Sequence, residues 1–131
     1  MATIRSFTSL EQSRKLAEIL PLGSADMCWQ YQKDRWVGEP DYKELPQFEH
    51  ATDKRDIPCW SLASLLEQMP YEVCDDDGNS LYLQINKEDD VYQLVYTDPY
   101  GGFDSIETDR YEYFVDACVA MIEKLHELNL L

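Results

Sequence analysis

At 131 residues, with 44% hydrophobic and 12% aromatic content, the chain suits one domain with its own core and lacks the composition of a disordered segment. Its net charge of −15 is lopsided: residues 71–131 carry 15 Asp/Glu against 3 Lys/Arg, a balance of −12, whereas residues 1–70 come to −3. A field of that sign repels anionic membrane and argues against direct nucleic-acid binding, and it favours basic protein surfaces or cations.

No stretch approaches the roughly 20 apolar residues of a membrane span. The opening MATIRSFTSLEQSRK has no apolar run of signal-peptide length before its charges, so a cytoplasmic protein is expected. The four cysteines (Cys28, Cys59, Cys74 and Cys118) are widely spaced with no CxxC pair, and are expected to be free thiols.

A first helix is expected from about Ser9. Ser9 with Gln12, or Thr8 with Glu11, makes a capping box ahead of Leu16, Ile19 and Leu20, and Pro21 and Gly23 stop the helix. Met27 to Trp36 reads as a strand with Trp29 and Tyr31 on one face. From about Val37 to Ile57 the periodicity fails, and a long irregular loop is expected, of a length usually reserved for function. A second helix is expected to start at Pro58, a residue suited to the first helical position, and to run to Met69 before Pro70.

Residues 71–97 read as a three-stranded antiparallel meander: Tyr71–Cys74, Ser80–Asn86 and Val91–Thr97. A four-residue loop at Lys87–Asp90 sets Ile85 opposite Tyr92, Leu83 opposite Leu94 and Leu81 opposite Tyr96. A five-residue loop at Asp75–Asn79 sets Val73 opposite Leu81 and Tyr71 opposite Leu83. Both registers gather these residues on one face, and a slip of one residue would turn every one of them to solvent. A short strand is expected near Phe103–Ile106. A last helix is expected from Arg110 to about Leu128, capped by Asp109 and Glu112, with Phe114, Cys118, Met121, Ile122, Leu125 and Leu128 in one stripe. That stripe needs a cover and the meander's face supplies one. The expected fold is a single α+β domain, an antiparallel meander with helices packed on one face.

Three segments, IPCWSLASLLEQMP at 57–70, the Tyr-rich meander, and VDACVAMIEKLHELNLL at 115–131, resemble a family of small uncharacterised proteins from gut-anaerobe genomes and their phages. The opening SLEQSRKLAEILPLGSADM is similar to that family as well. The resemblance implies one domain and an accessory protein of a phage or mobile element. The family has no assigned activity, so no site residue is carried over.

No catalytic constellation is legible. Cys59, read in the first turn of a helix, sits where the macrodipole lowers a thiol pKa, with His50 upstream as a base, and a small enzyme using Cys59 or an unrecognised site is the rival reading. It lacks a Gly-rich oxyanion loop and a downstream His/Asn pair, so Cys59 is expected to be a packing residue. The DDDGN turn fails as a calcium loop, because Val73 and Gln84 fall where acidic ligands are required. His50 and His126 do not make a zinc site with the scattered cysteines. No metal or cofactor is expected.

Two surfaces remain. The acidic turns Asp75, Asp76, Asp77 and Glu88, Asp89, Asp90 lie at opposite ends of the meander, the former with Asp98. They would imitate a phosphate backbone only if Asp104, Glu107, Asp109 and Glu112 filled the gap between them. The second is the stretch holding Trp29, Tyr31, Trp36, Tyr42 and Phe48 among Lys33, Arg35, Lys43, Lys54 and Arg55, residue types that dominate interface hot spots. The expected function is non-enzymatic binding of a basic-surfaced protein through one of these surfaces.

Overall fold

Ser9 starts the first helix as the sequence predicts. Its hydroxyl accepts from Gln12 N at 3.1 Å and the Gln12 side chain accepts from Ser9 N at 3.0 Å, a reciprocal capping box for α1 (Leu10–Ala17). The computed structural model describes residues 5–101 and 105–131. After α1 and a short 3-10 turn at Leu22–Ser24 come strand β1 (Met27–Trp29), strand β2 (Ile57–Cys59), helix α2 (Leu62–Gln68), strands β3 (Glu72–Cys74), β4 (Ser80–Glu88), β5 (Val91–Thr97) and β6 (Ile106–Glu107), and helix α3 (Phe114–Glu127). The fold is α+β: β1 pairs with β2, and β3-β4-β5-β6 form one antiparallel sheet in that order. Among the described residues no helix is long and apolar enough to cross a membrane.

Residues 57–59 are a strand, not the start of a helix. Proline tolerates both settings, and pairing decides between them. Cys28 exchanges both its backbone hydrogen bonds with Gln47 (2.8 and 2.9 Å) on the far side of β1, so its partner across β2, Pro58, needs no N–H there. The helix starts at Leu62, four residues after Pro58, with Ser61 as its cap, accepting from Ser64 N at 3.2 Å. The expected strand Met27–Trp36 stops at Trp29, beyond which only an isolated bridge joins Tyr31 to Tyr42.

The meander forms with its expected face but a different second turn. Val73 stands opposite Leu81, and Leu83 N donates to Tyr71 O, as predicted. In the second hairpin Ile85 pairs with Leu94 and Leu83 with Tyr96, a shift of two positions from the expected register. The turn is therefore the two residues Asp89–Asp90 rather than four, with Asp89 at φ 53°, a left-handed conformation that Asp tolerates. The tighter turn extends the ladder to Lys87 and Glu88. A shift of two preserves the face, because side chains alternate with period two.

Leu81, Val73, Leu94 and Tyr96 on that face are buried with Val115, Cys118, Met121, Ile122 and Leu125 of α3, and with Leu16, Trp60 and Leu65 from the first half. Leu83, Tyr92 and Phe114 pack partly buried at its margin. Tyr71 and Ile85, expected on the face, are exposed. Tyr71 precedes β3 and turns its ring against Tyr82, and Ile85 stands where β4 has outrun β3. Helix α3 starts at Phe114, four residues later than expected and without the Asp109 or Glu112 cap, because Tyr111 is held in a bridge to Tyr92. Leu128 lies past its end and is exposed. Of the strand expected at Phe103–Ile106, Phe103 and Asp104 lie outside the described residues, and the strand observed is β6.

A smaller core of Met27, Trp29 and Cys59, with Phe7, Leu10 and Ile57, lies around the two-stranded sheet. Thr8 joins the two halves. Its buried hydroxyl accepts from Trp60 N (3.1 Å) and lies 2.7 Å from Ser13 Oγ, and its carbonyl accepts from the Trp29 indole at 3.2 Å.

Candidate interaction surface

The aromatic stretch divides into buried, engaged and free members. Trp29 is buried, its indole N–H satisfied by Thr8 and its ring edge-on to Phe7 at 6.0 Å, so it is a core residue rather than a contact. Tyr31 and Tyr42 meet edge-on at 5.8 Å, with the Arg55 guanidinium 4.1 Å from the Tyr31 ring centroid and Arg14 5.7 Å from that of Tyr42. Lys33, Arg35, Lys43 and Arg55 are engaged as well. Asp53 binds Lys33 at 3.3 Å and Arg55 at 3.1 Å, and the Arg55 bonds hold its carboxyl well below the usual carboxylate range. Asp56 accepts from the backbone N–H groups of Tyr31, Thr52 and Asp53 at 2.9–3.1 Å; burial raises its pKa, but these bonds outweigh burial and lower it. Residues 30–56 are thus folded around two carboxylates, although only isolated bridges interrupt their irregular backbone.

The stretch also exposes four large apolar side chains. Trp36 is 79% exposed and Val37 fully exposed at the turn that Glu39 closes onto Trp36. Leu45 and Phe48 are 61% and 74% exposed. With Pro46 they form one side of an open groove of about 690 Å³ whose other side is Leu62, Ala63 and Leu66 of α2. Phe7 and Met27 also line it, and Asp26 is its one charged lining residue among those described. Asp26 is fixed by three hydrogen bonds: Oδ1 accepts from Ser61 N (2.9 Å) and Ser64 Oγ (3.0 Å), and Oδ2 accepts from Ser61 Oγ. Sequence reasoning missed both Asp26 and Leu45. The Leu45-Pro46-x-Phe48 run, apolar in a polar loop, was the available signal.

The acidic turns stand at the two ends of β4, nine residues long. At about 3.3 Å per residue the separation is roughly 26 Å. Their members differ in role. Asp75 accepts from Asp77 N (3.0 Å) and from Asn79 N (2.8 Å), and these bonds, led by Asn79, lower its pKa, so it builds the turn. Asp76, Asp77, Asp89 and Asp90 are exposed, and so is Glu88, 3.8 Å from Arg110. Asp98, expected beside Asp75 in the acidic surface, is buried and accepts from Tyr100 N. The connection from β5 to α3 runs beside the sheet, with Glu107 opposite Val95 and Tyr111 bridged to Tyr92, so exposed Glu107, Asp109 and Glu112 lie along its edge between the two turns, and Asp104 lies outside the described residues.

Cys59 lies in β2 and is wholly buried, so the helix-terminus argument for a reactive thiol does not apply to it. Burial pushes its thiol up, partly offset by hydrogen bonding with Thr8. Of the free cysteines only Cys74 is exposed, and burial pushes Cys118 up to about 12. Comparison with protein-family models, curated proteins and solved structures finds no significant match to this chain.

Proposed function

We propose that this protein acts without catalysis, by binding another protein that presents a basic surface, through the apolar residues of the 36–48 loop. The observation that carries the reading is the concentration of exposed large apolar side chains, Trp36, Val37, Leu45 and Phe48, in one segment. Trp is the residue type most enriched in interface hot spots, and Trp36 is exposed. The acidic clusters, remote from that segment in sequence, steer a basic partner toward it. The resemblance of residues 9–27, 57–70, the Tyr-rich meander and 115–131 to proteins of gut anaerobes and their phages supports an accessory role in a phage or mobile element.

The test is affinity capture from a lysate of the source cell with wild type and with the double variant Trp36→Ala, Val37→Ser. Both positions are exposed, so the variant is expected to fold. Proteins retained by wild type and lost by the variant are the expected result. Identical capture by both would refute the loop as the contact.

A further inference from the structure

The groove between Leu45–Phe48 and α2 carries a more specific reading, which rests on the protein-binding function proposed above. We propose that it takes an apolar side chain of the partner that is followed closely in its sequence by an arginine or lysine, whose cation meets Asp26. Six apolar residues supply the two walls, and at about 690 Å³ the space lies within the roughly 300–1,000 Å³ typical of ligand pockets. Its one lining charge among the described residues is negative and stands in a chain of net charge −15, so a cation is complementary there and an acidic flank is repelled.

Asp26 is built for that role. Three hydrogen bonds from Ser61 and Ser64 hold its carboxylate in place before any partner arrives, so little side-chain entropy is lost on contact. Burial raises its pKa, but the Ser61 and Ser64 bonds outweigh burial and keep it ionised. Helix α2 does not need the charge. Ser61 caps it through its own hydroxyl, and the link from β1 to α2 requires only an acceptor, which asparagine also supplies.

The experiment is an NMR titration of the labelled full-length protein at about 50 mM salt with three acetylated, amidated peptides: Leu-Phe-Ala-Arg, Leu-Phe-Ala-Gln and Gly-Ser-Ala-Arg. The expected result is that Leu-Phe-Ala-Arg shifts the methyl signals of Leu45, Leu62 and Leu66, and binds about 3–5-fold more tightly than the Gln peptide, as one exposed charge pair allows. Gly-Ser-Ala-Arg leaves those signals in place. Asp26→Asn abolishes the Arg preference, and Leu45→Ser, at an exposed position, weakens both apolar peptides alike. Equal affinity for the Arg and Gln peptides, an Arg preference that survives in Asp26→Asn, equal binding of Gly-Ser-Ala-Arg, or unmoved groove signals would each overturn the proposal. Partner capture that depends on Trp36 while the groove signals stay unmoved removes this inference alone. Capture indifferent to Trp36 and Val37 removes the loop contact on which it rests.

Discussion

Ile122 and Leu83 face the same core from opposite elements, and the structure predicts unequal costs for truncating them. Ile122 on α3 is wholly buried, whereas Leu83 on β4 is only partly covered. Ile122→Ala removes roughly three carbons at about 0.8 kcal/mol each, some 2.4 kcal/mol of transfer energy. The sealed site adds a cavity term of about 1 kcal/mol, for a total of about 3–4 kcal/mol. Leu83→Ala forfeits a smaller transfer energy and opens a site that water refills, so its cost is below about 2 kcal/mol. Urea unfolding followed by tryptophan fluorescence, which reports on buried Trp60, measures both. With a slope of roughly 1–3 kcal/mol per molar, Ile122→Ala lowers the midpoint by about 1–4 M. Equal losses from the two variants, or a loss under about 1 kcal/mol for Ile122→Ala, would show that α3 does not close this core.

Three further outcomes are expected. Iodoacetamide at pH 7 labels Cys74 in the native protein and spares Cys59 until the chain is unfolded, read by mass spectrometry of the peptides; native labelling of Cys59 would contradict its burial. Reversing Asp76, Asp77, Glu88 and Asp90 to Lys, with turn-building Asp75 and left-handed Asp89 untouched, slows partner association more than neutralising Glu11 and Glu18, and the gap closes as salt rises; equal on-rates would make the acid only a solubilising surface. Asp26, Asp53, Asp56 and Asp75 all have folded pKa values below their ordinary 3.8, so the unfolded chain binds protons first as pH falls. Their stabilisation is present above about pH 4 and is lost as pH drops through the folded values, so the melting temperature falls there, and less so in Asp56→Asn; identical acid profiles for the two proteins would refute the role of Asp56.

Local chemistry determined much of this molecule from the sequence alone. The Ser9–Gln12 box, the α3 stripe and the parity of the meander follow from spacing, because side-chain direction repeats with period 3.6 in a helix and 2 in a strand. Period two also leaves parity blind to a shift of two, so the Asp89–Asp90 turn was decided by the longer β4–β5 ladder. Pro58 is compatible with a helix start and with a strand, and the pairing of Cys28 with Gln47 made it a strand residue. Acidic residues look alike in a sequence, yet Asp98 is buried, Asp75 builds a turn and Asp76 faces solvent, because hydrogen-bond donors reached the first two. The groove depended most on tertiary structure. Asp26 meets Ser61 and Ser64, and Leu45 and Leu66 line one groove, only once β1 has paired with β2, and no local pattern records the meeting of residues so far apart in the chain.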